Sequence, residues 1–186
     1  IAAGVLLSVG VLWLRTPEIA GKALLLLACA IPAFGSGLTE DLTKTQSPRR
    51  RLLFTAISAA LAVAVLDAVI GRTDIPGLDW VVSFSAGAAV VTVFVVTGVA
   101  NSLNIIDGFN GLASMCVVIM LAAVAYVAFQ VGDDLTGTMA LIVIGATLGF
   151  FAWNFPSGHV FLGDGGAYFL GFFVAELGVL LLVRNP

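Results

Sequence analysis

The stretch Asn101-Ser102-Leu103-Asn104-Ile105-Ile106-Asp107-Gly108-Phe109-Asn110-Gly111-Leu112 decides how this chain is read. It stands between two apolar runs, Val81–Ala100 and Leu112–Val131. Amide and carboxylate side chains, like bent backbone, are costly against lipid tails, so the segment must face protein, water or a ligand. Turn formation by Asp107-Gly108 and Asn110-Gly111 and helix capping by Asn101 and Asn104 account for part of this polarity. One short turn does not need so many amides, and Asn101 and Asn104 are spaced to share a helix face.

The rest of the chain sets the class. Of 186 residues, 60% are hydrophobic and 10% charged, and the mean hydropathy is +1.13, which is membrane composition. Runs long enough to cross roughly 30 Å of hydrocarbon lie at Gly21–Leu38, Leu52–Ile70, Val81–Ala100, Leu112–Val131, Thr138–Phe155 and Gly166–Val183. Ile1–Leu14 reads as part of a further span. The expected fold is all-α, a polytopic transmembrane bundle of six complete spans and one partial span, forming one domain over residues 1–186 without internal repeats. Ile1 opens directly in an apolar run, so the chain is expected to belong to a longer protein. A net charge of -3 and the lack of a basic, aromatic-interleaved stripe exclude nucleic acid as a partner. Cys29 and Cys116 fall inside apolar runs and are expected to serve packing.

Orientation follows from the cations. The connection Thr39–Arg51 holds Lys44, Arg49, Arg50 and Arg51, half of the eight Lys and Arg, which places it in the cytoplasm. Alternation then makes Asn101–Gly111 and Pro156–Gly165 cytoplasmic too, and turns Arg15–Ala20, Gly71–Trp80 and Gly132–Gly137 outward. The outer acids Glu18, Asp74, Asp79, Asp133 and Asp134 are expected to be solvated. Asp67 lies near the outer end of its span, and Glu176, deeper, is expected to hydrogen-bond a neighbouring helix.

Two further segments share the cytoplasmic side. Glu40-Asp41-Leu42-Thr43-Lys44 follows an apolar run; alone it reads as a solvated helix end with lipid-anchoring cations, or as carboxylates for a divalent cation beside a lysine for phosphate. Phe161-Leu162-Gly163-Asp164-Gly165-Gly166 sets one acid among glycines before a helix, where backbone N–H groups and the helix N-terminus favour anions; the plainer reading is a glycine-rich connection. His159, the only histidine, is a lone loop residue within reach of a phosphate on this side.

Together these three segments resemble the polyprenyl-phosphate N-acetylhexosamine-1-phosphate transferases, a family that includes phospho-N-acetylmuramoyl-pentapeptide transferase and the enzymes starting O-antigen, enterobacterial common antigen and teichoic acid synthesis. Glu40-Asp41-Leu42-Thr43-Lys44 is similar to the family's pattern of two acids, two residues and lysine, with Glu40 at the first acid. Asn101, Asn104, Asp107, Gly108, Gly111 and Leu112 match its Asn-rich loop, and Asn110 stands where many members carry a second Asp. Phe161, Gly163, Asp164 and Gly165 match the loop whose Asp is a magnesium ligand in the family. The family's His-rich C-terminal loop and a further N-terminal segment have no counterpart in residues 1–186, so the chain is expected to be the core of the enzyme.

The resemblance implies a multi-pass enzyme of the bacterial inner membrane, active on its cytoplasmic face. It would move an N-acetylhexosamine 1-phosphate of GlcNAc type from a UDP-sugar to undecaprenyl phosphate, release UMP and start a cell-envelope polysaccharide. It further implies Mg²⁺, with Mn²⁺ as a substitute, held by Asp164 with help from Asp41 and Asp107. Lys44, Asn101, Asn104, Asn110, Gly163 and His159 are the expected substrate contacts. A lipid phosphate with a second pKa near about 6 is largely dianionic at neutral pH, so direct attack in one step is the expected route, with Asp41 or Asp107 orienting or deprotonating it. The alternative is a two-step route in which Asp107 or Asp41 is the nucleophile and becomes phosphorylated. The competing classes are a cation-coupled transporter, whose acids belong near the midplane at repeat interfaces, and an inactive scaffold.

Overall fold

The computed structural model describes residues 1–185. Eight helices follow in order: α1 (Ala2–Trp13), α2 (Pro17–Thr43), α3 (Pro48–Leu66), α4 (Leu78–Val82), α5 (Ser85–Ile106), α6 (Leu112–Gln130), α7 (Asp134–Asn154) and α8 (Gly163–Arg184). No strand occurs among the described residues. Helices α2, α5, α6, α7 and α8 are long and apolar enough to cross a bilayer, and α1 is a shorter apolar helix. The chain is a multi-pass membrane protein. The expected sixth complete span, Leu52–Ile70, is instead the 19-residue α3, which starts at Pro48, carries Arg49, Arg50 and Arg51 in its first turns and stops at Leu66, with Asp67 left-handed at φ 51°. Its arginines make it the least apolar of the long helices.

Helix α8 is the hub. Its exposed surface nearly vanishes from Ala167 to Leu177, and it packs against α2, α3, α5, α6 and α7. Small residues permit the close approaches, as expected where lipid-facing helices associate by packing. A Cβ at Gly171 would lie 2.5 Å from Ala100 Cα, and one at Gly37 would lie 2.6 Å from the carbonyl of Asp164. Within α2, Pro32 lacks an N–H and disturbs the preceding turn. The neighbouring N–H of Ala33 donates to Ser58 Oγ of α3 at 2.9 Å, which satisfies it between the two helices.

The helices run past the apolar segments that announce them. Helix α2 continues to Thr43, α5 continues to Ile106, and α8 begins at Gly163. Asn101, Asn104 and Asp164 therefore stand on helices where connections were expected. Hydropathy marks where lipid ends, whereas i→i−4 hydrogen bonding persists into a polar region as long as the bundle supports it. At its other end α5 starts at Ser85, and α4 and α5 meet at Ser83-Phe84 where one span had been expected from Val81.

Three further expectations meet the structure. Cys29 and Cys116 are free thiols, the first buried. Neither carboxylate oxygen of Glu176, which is fully buried, finds a hydrogen-bond partner among the described residues, against the expectation of an interhelical bond. Asp133 is not a solvated outer acid. Because α7 begins one residue later, Asp133 becomes its N-cap, accepts from Thr136 N, and is 4% exposed. Arg184 Nε at the end of α8 donates to both its oxygens at 3.0 Å.

Candidate active site

At the opposite end of the bundle from Asp133 and Arg184, the ends of α2, α3, α5 and α8 meet around Asp164. The N-terminus of α8 forms because Gly163 adopts φ +68°, a left-handed conformation that glycine takes without a Cβ penalty. A Cβ there would also lie 2.6 Å from Asp41 Oδ2. Asp41, projecting from the last turns of α2, accepts from Asp164 N through Oδ1 and from Gly165 N through Oδ2, both at 2.9 Å. A helix capped by its own residue is common; here a second helix supplies the carboxylate, satisfying orphan donors and opposing the positive end of the dipole.

The Asp164 side chain is held from two sides. Arg51 Nη1 of α3 donates to Oδ2 in an ion pair, and Asn104 Nδ2 of α5 donates to Oδ1 at 2.9 Å. Arg51 keeps its Nε buried with no partner among the described residues. Asp107, just past α5, is held above its ordinary carboxylate range by burial first, then by the negative charges of Asp164 and Asp41. Three carboxyl groups of one sign thus bear on a space bordered by one paired guanidinium.

The remaining expected residues divide. Asn101 accepts from the Tyr168 hydroxyl at 3.4 Å, which ties α5 to α8. Asn110 Nδ2 donates to the Pro156 carbonyl at 3.2 Å and joins the two loops. Lys44 caps α2 in a left-handed conformation with a 71% exposed side chain, its Nζ 4.0 Å from Asp41 Oδ1. His159 is exposed on the loop before α8, with no side-chain hydrogen bond among the described residues. Glu40 is engaged locally, its Oε2 accepting from Gln46 N at 2.6 Å to close the turn into α3.

Two residues that the sequence reading did not place here are structurally central. Asn154, the last residue of α7, accepts from Gly111 N through Oδ1 at 2.5 Å and donates from Nδ2 to the Val160 carbonyl at 2.8 Å. It pins the Asn-rich loop to the glycine loop. An amide closing an apolar run just before Pro156 was its only signal. Arg51 was read as one of three lipid anchors. Its signal lay in helix period: Thr55, Ser58 and Ala62 are buried on α3, and stepping back four residues along that stripe reaches Arg51, not Arg49 or Arg50.

Could these groups hold a divalent cation? No set of three His, Cys, Asp or Glu side chains among the described residues is close enough to cage an ion. Magnesium does not require one. It takes one or two carboxylates, keeps water, and completes its shell with substrate phosphates. Asp164, whose oxygens are held by side-chain donors that a rotamer change can withdraw, fits that hard-oxygen donor set together with Asp107, whereas Asp41 has both oxygens fixed to the backbone of α8.

The profile of Glycosyl transferase family 4 matches residues 23–182. The chain belongs to this family. Among its curated relatives, the probable undecaprenyl-phosphate N-acetylglucosaminyl 1-phosphate transferase of Bacillus subtilis (strain 168) is 39% identical over 95 residues, 51% of the chain and 26% of that protein. The phospho-N-acetylmuramoyl-pentapeptide-transferase of Geobacillus kaustophilus (strain HTA426) is 32% identical over 181 residues, 91% of the chain and 56% of that protein. The namesake enzyme of Streptococcus thermophilus (strain CNRZ 1066) is 41% identical over 91 residues, 49% of the chain and 27% of that protein. The chain spans between about a quarter and about half of the length of these curated relatives. Every helix that contributes to the site lies wholly or largely within the matched segment.

Proposed function

We propose that this family 4 protein transfers an N-acetylhexosamine 1-phosphate, of GlcNAc type, from a UDP-sugar to undecaprenyl phosphate at the cytoplasmic face of a bacterial inner membrane. One observation carries the reading: side chains from α2, α3 and α5 hold Asp164 and the start of α8 at one end of a membrane bundle. A transporter would place its acids near the midplane between repeats. The GlcNAc choice draws support from the Bacillus subtilis relative, and the orientation from Lys44 and Arg49–Arg51.

In the reaction, an oxygen of the lipid phosphate attacks the sugar-bearing β-phosphorus of the UDP-sugar. The bond from that phosphorus to the oxygen bridging the two phosphates breaks, and UMP departs with the bridging oxygen and the electron pair. Mg²⁺ or Mn²⁺, held by Asp164, would supply charge neutralisation on the diphosphate, which is the main demand of phosphoryl transfer. Asn104 fixes the rotamer of Asp164. Asp41 fixes the backbone beneath it. Asp107, more easily protonated than an ordinary carboxylate, orients the acceptor phosphate by hydrogen bonding. Lys44, exposed at the mouth, draws the anionic substrates in.

For the lipid, a groove of about 660 Å³ runs between α3 and α5, lined by Leu52, Ala56, Val63, Val90 and Phe94, with Arg49 at one end. Apolar walls headed by a cation suit a long isoprenoid with an anionic head. The test is an assay of the protein, expressed from its complete reading frame, with undecaprenyl phosphate and a panel of UDP-sugars. UMP release confined to the N-acetylhexosamines supports the reading; none with any sugar removes it.

A further inference from the structure

Arg51 stands where the proposed reaction would need both a free carboxylate and a cation for phosphate. Its guanidinium is engaged with Asp164 Oδ2, its side chain is only 17% exposed, and its Nε is buried without a partner among the described residues. It arises near the start of α3 in phase with buried Thr55 and Ser58, which turns it toward the bundle. A guanidinium offers five donors in a fixed fork, and this one has spare donors beside the acid expected to meet the metal.

We propose that Arg51 is an exchangeable counter-ion that couples metal binding to nucleotide binding. Without nucleotide it neutralises Asp164 and competes with a divalent cation for that carboxylate. When a diphosphate enters, Arg51 transfers its hydrogen bonds to phosphate oxygens, and Asp164 is released to the metal that accompanies the same diphosphate. The cation and the nucleotide each bind better in the presence of the other, as linkage requires. The site is thereby kept from holding a bare metal ion opposite three carboxyl groups.

This inference rests on the proposed metal role of Asp164, so the experiment separates the two. Free Mn²⁺ is measured by EPR over the full-length protein in nanodiscs, with and without UDP, correcting for the Mn²⁺–UDP complex. In the wild type, UDP should tighten Mn²⁺ binding about tenfold, inside the roughly 5–150-fold range of ordinary couplings. Arg51→Gln should bind Mn²⁺ alone about tenfold more tightly than wild type, gain less than about threefold from UDP, and bind UDP more weakly. Arg51→Lys, which keeps the charge and loses the fork, should fall between, and carries the test if the glutamine variant does not fold. Unchanged or weaker Mn²⁺ binding in these variants, with Asp164→Asn losing it, overturns the coupling alone. Wild-type Mn²⁺ binding in Asp164→Asn overturns the metal role beneath it as well.

Discussion

Replacing Asp41 tests whether the start of α8 is built by another helix. The carboxylate accepts two backbone N–H groups, from Asp164 and Gly165, each at 2.9 Å. Hydrogen bonds to a charged group contribute about 1.5–3 kcal/mol apiece, and an anion at a helix N-terminus a further ~0.3–1 kcal/mol. Asp41 is 28% exposed on its side chain, so the lower values apply. Asp41→Ala should then cost about 3 kcal/mol, and Asp41→Asn, which keeps one acceptor but turns an NH₂ toward the other amide, about 1.5–2 kcal/mol. Hydrogen exchange in nanodiscs reads this locally. The amides of Asp164 and Gly165 should open on the order of 100-fold more often in the alanine variant and roughly tenfold more in the asparagine variant, at about 1.4 kcal/mol per decade. Amides deeper in α8, from Tyr168 onward, should not change. Unchanged protection at residues 164 and 165 in Asp41→Ala would refute the capping argument.

Neighbouring glycines on α2 should respond with opposite signs. Gly37→Ala would set a Cβ 2.6 Å from backbone atoms of Asp164 and Gly165 and should lose most activity and about 1–3 kcal/mol of stability; Gly35→Ala, with nothing within 4 Å, should gain up to about 1 kcal/mol. Equal behaviour in SDS unfolding would remove the close-approach argument. Because burial and two negative neighbours raise Asp107, it takes up a proton as pH falls while ordinary carboxyls remain ionised. The acid limb of kcat/KM should therefore lie above the usual carboxylate range, and Asp107→Asn should slow turnover and flatten that limb; an unaltered limb would assign it elsewhere. For Asp133, burial raises the pKa, but hydrogen bonds from Arg184 and Thr136 and the guanidinium charge outweigh it, so it lies below its ordinary 3.8. A depressed carboxylate contributes stability that is full above its unfolded value and lost as pH falls through the folded one. Wild type should melt above Asp133→Asn at pH 7, and the two should converge below about pH 4; a constant gap would mean the contact is not ionic.

The membrane class, the helical fold and the convergence of three polar segments were legible because hydropathy and loop charge are local properties of the sequence. What each acid does once there was not. Asp41 and Asp164 carry the same functional group, yet one has its oxygens spent on backbone amides and the other on side chains. That division depends on the αL turn at Gly163 and on α2 running on past Leu38, neither of which a hydropathy profile records. Arg51 was hidden among identical neighbours, and only the phase of α3 separates it from Arg49. Asp133 was misplaced because a loop four residues too long had been drawn ahead of α7, which turned an N-cap into a solvated acid.

The measurement that bears most directly on the central claim follows the β-phosphate. Full-length protein in nanodiscs receives undecaprenyl phosphate, Mg²⁺ and UDP-GlcNAc labelled at the β-phosphorus, and the lipid, aqueous and protein fractions are counted. Label and sugar should enter the lipid together, one for each UMP released, and none should move without a divalent cation or in Asp164→Asn. Label recovered as aqueous phosphate, label bound to the protein before lipid is added, or full transfer by Asp164→Asn would contradict a direct transfer centred on that carboxylate.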